Sequence, residues 1–522
     1  MIGSRRLRRL GLLAGLIVGL CAGAAPAQEK HDHSQHGKTE LKETPKDTKE
    51  AKVREPAGQD PHAGHDAGGD GEKGAHAGHA MMMTTVTGGP FRTMQALGSG
   101  TALQPASTPM AMWFYRPGEW SVMLHADVKV GFNHQGGPRG VGKAESQNWL
   151  MAMAERNVGP GRLMLRGMFS GEGLTFPHGG SPQLLQTGET YRGIGIVDAQ
   201  HPHDLFMELA ASYTIPLGER VSFQVYGGPV GEPALGPVAF MHRASAMDNP
   251  AVPLSHHFQD STHITHGVVT AALTAGRLKF EASAFRGREP DEDRVGLDLG
   301  KLDSYSFRAT YTPTANWSMQ VSGGHVKSPE VLVPSLNVDK LTASVSYNRP
   351  LRRGNWASTL VWGRSSDPYG AGNSYLFESA LRFRDKNTLY TRLELVDKIS
   401  LLADNIWGRP GLGGCQLVPV GSTVNLQTAP AAKKAQAVYR HHFPVDPNPT
   451  PIDPCPPILN QSFRVGGFTF GGTRDFFANG KIRLGVGADL TVYHMPAALD
   501  PVYGNNPVSY RIFLRFRPDW MR

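Results

Sequence analysis

The stretch WSVMLHADVKVGF, Trp120 to Phe132, decides the fold. Successive side chains of a strand point to opposite sides, so Trp120, Val122, Leu124, Ala126, Val128, Val130 and Phe132 share one face. Ser121, Met123, His125, Asp127, Lys129 and, one step on, Asn133 share the other. A strand greasy along one wall and wet along its reverse fits lipid outside and water inside. From about Glu119 to the C-terminus the chain repeats one unit: an alternating strand, a tight turn, a second alternating strand, then a long polar loop. Alternation with short and long connections in turn is the pattern of a closed outer-membrane barrel.

Working outward, the alternation predicts strands at Glu119–Phe132, Gln147–Arg156, Arg162–Ser170, Asp204–Ile215, Val221–Gly228, His263–Leu273, Leu278–Arg286 and Asp303–Thr312. It continues at Trp317–Val326, Lys340–Tyr347, Asn355–Gly363, Ser374–Phe383, Thr388–Val396, Gln461–Gly472, Gly480–Tyr493 and Pro507–Arg517. The fold class is all-β: a transmembrane antiparallel up-and-down barrel of about 16 strands over residues 108–522. Short turns at the periplasmic rim would leave both chain ends in the periplasm. No run of about 18 apolar residues follows the N-terminus. With charged residues at 19% and mean hydropathy of −0.31, a helical membrane protein is excluded. A secreted sandwich or propeller has no reason to alternate short and long connections.

Residues 1–27 read as a signal peptide: Arg5, Arg6, Arg8 and Arg9 precede an apolar run from Leu10 to Leu20, and Ala25-Pro26-Ala27 offers a cleavage site. Its removal lowers the formal net charge from +8 to +4. Cys415 and Cys455 then remain, both in the long loop Asp397–Asn460, and an oxidising compartment favours a disulfide between them. Closing that loop would remove roughly 4 kcal/mol of unfolded-chain entropy.

Residues 28–107 are poor in aromatics and read as a disordered periplasmic tail. Its metal-ligating candidates are His31, His33 and His36, the pairs His62/His65 and His76/His79, and Met81, Met82 and Met83. Imidazole suits Cu(II) and Zn and thioether suits Cu(I), so copper or zinc ions are the ligands implied, with no resident cofactor required. A generic polar linker is the plainer alternative.

The tail resembles the copper resistance protein B family, since His31-Asp32-His33-Ser34-Gln35-His36 is similar to that family's Met-Asp-His-Ser repeats. It carries fewer methionines, so the resemblance implies Cu(II) more than Cu(I). The barrel resembles general porins in strand number and loop placement. That resemblance implies that the loop between the fifth and sixth strands, Pro229–Thr262, folds into the lumen. It holds His256 and His257 and runs into His263 and His266, while the loop Gly171–His203 ends in His201 and His203. These six are the loop candidates for a metal or substrate site, because loops carry function on rigid scaffolds.

Parity assigns Lys129, Arg162, Arg166, Lys279, Arg308, Arg382, Arg392, Arg464, Arg483, Arg511, Arg515 and Arg517 to the pore lining, outnumbering Asp127, Glu208, Glu281, Glu378, Glu394 and Asp489. Such a lining favours anions. The expected function is an outer-membrane pore with a metal-binding tail, serving metal resistance or handling. The alternatives are an anion-preferring diffusion porin without a metal role, an adhesive barrel, and a lipid hydrolase using Ser255, His256, His263 or His266. No serine–histidine–aspartate spacing carries a hydrolase signature, and the chain is read as a non-enzyme. Expected partners are outer-membrane lipid and small solutes or metal ions, with a homotrimer left open; nothing points to nucleic acid.

Overall fold

Alternation of the kind seen at Trp120–Phe132 becomes a ring of strands. The structure, a computed structural model, describes residues 91–411 and 461–520 apart from Tyr369. In chain order the strands are β1 (Trp113–Tyr115), β2 (Ser121–His134), β3 (Gly142–Val158), β4 (Gly161–Phe169), β5 (Ser181–Tyr191), β6 (Ile194–Gln200) and β7 (Phe206–Pro216). Then come β8 (Val221–Gly231), β9 (Thr265–Ala275), β10 (Leu278–Phe285), β11 (Ser304–Tyr311), β12 (Trp317–Val326) and β13 (Val338–Leu351). The series ends with β14 (Gly354–Asp367), β15 (Gly370–Phe383), β16 (Asn387–Lys398), β17 (Phe463–Ala478), β18 (Ile482–His494) and β19 (Val508–Pro518).

The first and last ring strands pair antiparallel, with Val130 opposite Leu514 and Phe132 opposite Ile512, and this closes the sheet. The ring comprises the 16 strands β2–β4 and β7–β19. Every strand expected from alternation is a ring strand, and β12 has the expected ends. Three short strands went unexpected. β1 lies along the start of β2, where β19 does not reach, with Trp113 opposite Leu124. β5 and β6 form a separate hairpin within the loop Gly171–His203.

Val130, Phe132, Leu150, Leu165, Val269, Phe280, Phe307, Val321, Leu360 and Leu514 are exposed on the outer face, where lipid would cover them. At the short-turn rim Tyr347 packs between Trp317 and Trp356, with ring centroids 4.6 and 5.5 Å away. Aromatic rings with a polar edge suit a membrane–water interface. The short turns, from 159–160 and 217–220 round to 479–481, all lie on the rim where the chain enters and leaves the ring. The long connections lie on the other, where β14 and β15 alone follow each other closely, from Asp367 to Gly370.

The lumen is filled from both ends. Phe91–Ser107, expected as the end of an unfolded tail, instead enters the barrel and buries Met94, Leu97 and Leu103. Too poor in apolar residues to form a core alone, it uses the barrel's. Its carbonyls accept from the wall: Arg166 to Gly100 O at 2.7 Å, Lys279 to Thr101 O at 2.7 Å and Ser318 to Leu103 O at 2.8 Å. From the other rim the loop between β8 and β9 folds inward, as the likeness to porins implied, and buries Leu235, Phe240, Met241 and Leu254. The β5–β6 hairpin joins it; there the Arg139 guanidinium, itself buried, bonds the Asp198 carboxylate. Residues 1–90 and 412–460, and with them the signal segment, the tail's histidines and methionines and Cys415 and Cys455, lie outside the described residues.

Candidate functional site

Apart from Arg464, the predicted pore lining faces inward, where part of it holds the plug and the rest pairs along the wall. Arg392 pairs with Glu378 at 2.8 Å and donates to Ala251 O of the inward loop at 2.6 Å. Glu378 also takes Arg243 of that loop, at 3.0 Å, and Arg243 reaches Asp260 at 2.8 Å. Arg308 pairs with Glu281 at 2.8 Å and donates to Gly236 O at 3.2 Å. Arg483 holds Asp475 at 2.9 Å and also Asp519; Arg515 pairs with Asp475 and with Asp248 of the plug, which Arg517 meets at 3.0 Å. Lys129 pairs with Asp127 at 2.6 Å, and Arg511 faces Asp489 at 3.9 Å. Arg162 lies over Phe91 and Arg382 over Trp520, at 4.4 and 4.1 Å from the ring centres. Arg464 is a correction: it stands on the outward parity of β17, exposed and paired with Asp397, because the buried positions there are Phe463 and Val465.

Folding of the inward loop gathers the predicted loop histidines. His203 and His263 lie 5.4 Å apart between ring centres, His256 and His263 5.0 Å, His256 and His257 5.3 Å, and His201 and His257 6.0 Å. Phe240 packs edge-on against His256 and His263 and fixes their tilt. Each of the three central rings is tied through Nδ1 to an oxygen: His203 to the Glu172 carboxylate at 2.7 Å, His256 to the Asp260 carboxylate at 2.7 Å and His263 to the Asp260 carbonyl at 2.8 Å. A carbonyl or ionised carboxylate only accepts, so Nδ1 is the donor and, on the neutral ring, the lone pair sits on Nε2. Such an oxygen on the far nitrogen orients histidines that bind metals. His263 Nε2 is buried with no hydrogen-bond partner.

Burial holds His263 and His257 well below the usual histidine range, and the nearby His256 reinforces it. Burial also lowers His256, against the pull of Asp260. His203 goes the other way: burial would lower it, but the Glu172 carboxylate, with Asp204 beside it, raises it. Neutral imidazole is the ligating form. His257 further meets Glu289 and Glu330, with one ligand atom of each within 4.8 Å of the others. Burial raises both carboxyls, and each is raised further or restrained by its charged neighbours.

Two loop candidates are otherwise engaged. His266 accepts the Asp298 N–H on Nδ1 at 2.7 Å and stands 3.5 Å from Asp204 through Nε2. His201 uses both ring nitrogens, on Pro202 O at 3.2 Å and Glu189 at 3.1 Å. Ser255, weighed as a nucleophile, donates its hydroxyl to Glu394 at 2.9 Å within the filled lumen.

Sequence reasoning missed the methionines. Met123, Met151, Met153, Met164, Met168 and Met207, from β2, β3, β4 and β7, are buried inside the barrel with Met94, Met112 and Met241. The signal was present: Met123 falls on the polar parity of the opening stretch. Strict alternation would turn Met207 outward, and a bulge overturns this. Met168 pairs with Glu208 and Phe169 with Phe206, so Met207 is the extra residue and is only 2% exposed.

No protein-family model matches the chain, and no curated protein resembles it. Among solved structures it is similar to an anion-selective porin from Comamonas acidovorans, at 10% identity and a TM-score of 0.39, over 76% of this chain and 100% of that one. It is similar to outer-membrane expressed OmpT of Vibrio cholerae at 8% identity and a TM-score of 0.39, over 78% and 100%. OmpF of Salmonella typhi, in complex with daunomycin, aligns at 9% identity and 0.39, over 76% and 97%. The fold is shown by the ring itself: a closed antiparallel β-barrel of 16 strands with an apolar outer face.

Proposed function

We propose that this barrel handles transition-metal ions of the copper and zinc class in an occluded lumen, rather than passing small solutes by open diffusion. The observation that carries the reading is the trio His203, His256 and His263: three adjoining buried rings, each with Nδ1 tied to an oxygen. The tail supports it, since His31 to His79 would collect the same ions on the periplasmic side, where short turns place the chain's entry. Neutralised arginines and a filled lumen speak against a general anion pore. The test is Zn(II) and Cu(II) titration of full-length protein in detergent. His256→Gln with His263→Gln should remove one tight site and leave tail binding intact, whereas alanines at His62, His65, His76 and His79 should do the reverse. Unchanged stoichiometry in the lumenal variant would sink the proposal.

A further inference from the structure

The lower lumen is unusual in its chemistry as well as its closure. Barrel interiors are normally polar, yet nine thioethers gather in one buried cluster, out of 18 methionines in the chain. Packing alone would be served as well by leucine or isoleucine, which lose less rotamer freedom on burial than methionine. Where this cluster meets the histidines, Met168, Met207, Met241, His242 and His263 line one small cavity, with about 10 Å³ open to the centre of a water-sized sphere. That is room for a single small occupant.

Two observations on this cavity agree. His263, 9% exposed, holds its Nδ1 proton on the Asp260 carbonyl, so its partnerless Nε2 carries the lone pair. Met207 is present only because a bulge turns it inward. Of the carboxyls at the cavity, Glu208 is engaged by Arg166 at 3.0 Å and Tyr226 at 2.7 Å, whereas Glu232 keeps Oε2 buried without a partner. The donors left over are three thioethers, imidazole nitrogen and one carboxyl oxygen, a set dominated by sulfur and nitrogen, which hard oxygen-seeking cations do not prefer and soft d¹⁰ ions do.

We infer that Met168, Met207, Met241, His242 and His263 form a binding site for a soft monovalent cation, Cu(I) or Ag(I), inside the barrel. The site deepens the metal reading above and rests on it for a route through the lumen; binding itself is tested separately. The probe is Cu(I) alone, titrated anaerobically into full-length protein against a chromogenic Cu(I) chelator, in a background where Met81, Met82 and Met83 are leucine. Met168→Leu with Met207→Leu and Met241→Leu keeps side-chain volume and should remove one tight Cu(I) equivalent while Zn(II) binding persists. Copper K-edge absorption of the background protein, which needs no lumenal variant, should report sulfur neighbours that vanish in the triple variant. An unchanged Cu(I) equivalent, or a shell of nitrogen and oxygen only, would overturn the inference. Loss of Zn(II) binding in the histidine variants would still uphold the reading it extends.

Discussion

Two walls of the same lumen are built on different chemistry. Around β10–β11 and β15–β19, arginines and carboxylates face inward and clamp the plug, as Arg243–Glu378–Arg392 and Asp248–Arg517 do. Around β2, β3, β4 and β7, methionines cluster inward beside a few charged groups, among them Arg166–Glu208, Lys129–Asp127 and Arg162–Glu155. The charged wall holds the inserted loop in place. The soft wall leaves a lone-pair nitrogen without a partner. Inward charge therefore marks structure in this barrel, and the quieter residues mark the candidate chemistry.

The comparison breaks most visibly through stability. Arg243→Ala strips Glu378 and Asp260 of a buried partner and should cost about 3–5 kcal/mol, while Met168→Leu should cost less than about 1.5 kcal/mol. The temperature at which the folded gel band disappears measures both, and equal losses would erase the distinction between the walls. Conduction sharpens it next. The intact barrel should be nearly silent in bilayers, whereas replacing 234–258 with a short linker should give an open, anion-preferring current. Arg515 and Arg517 then lose Asp248, but Glu378 keeps Arg392. A cation-preferring current would contradict the parity assignments.

A subtler effect lies in pH. His203 has a raised pKa in the folded protein, so a metal bound there must displace a proton, and affinity should climb as pH rises through that value. His256 and His263 are depressed below about 6.5, the ordinary histidine value, and are already neutral at pH 7. His203→Gln should therefore leave a weaker Zn(II) affinity that stays flat down to about pH 6.5; titrations at stepped pH read this. The smallest effect belongs to Arg464→Ala, whose exposed pairing with Asp397 should be worth less than about 0.5 kcal/mol, with no change in conduction.

The ring was legible in the sequence because lipid on one side and filled lumen on the other impose period two on every strand. The plug was only partly legible. Phe91–Ser107 has no core of its own, so composition assigned it to the tail, and it is Arg166, Lys279 and Ser318 of the barrel that reveal where its carbonyls go. The convergence of His203, His256 and His263 depends on two loops meeting inside the ring, which no local pattern encodes. Met207 escaped because one bulge reverses parity for the residues beside it, and a one-residue slip flips a side chain to the other face.

The central claim, that the filled lumen admits metal ions and excludes ordinary solutes, is tested most directly in proteoliposomes holding a metal-sensitive dye. Full-length protein should give saturable zinc or copper influx that His256→Gln with His263→Gln abolishes, with chloride and small sugars retained outside throughout. Free passage of chloride or sugars through the unaltered protein, with metal influx indifferent to those histidines, would contradict it.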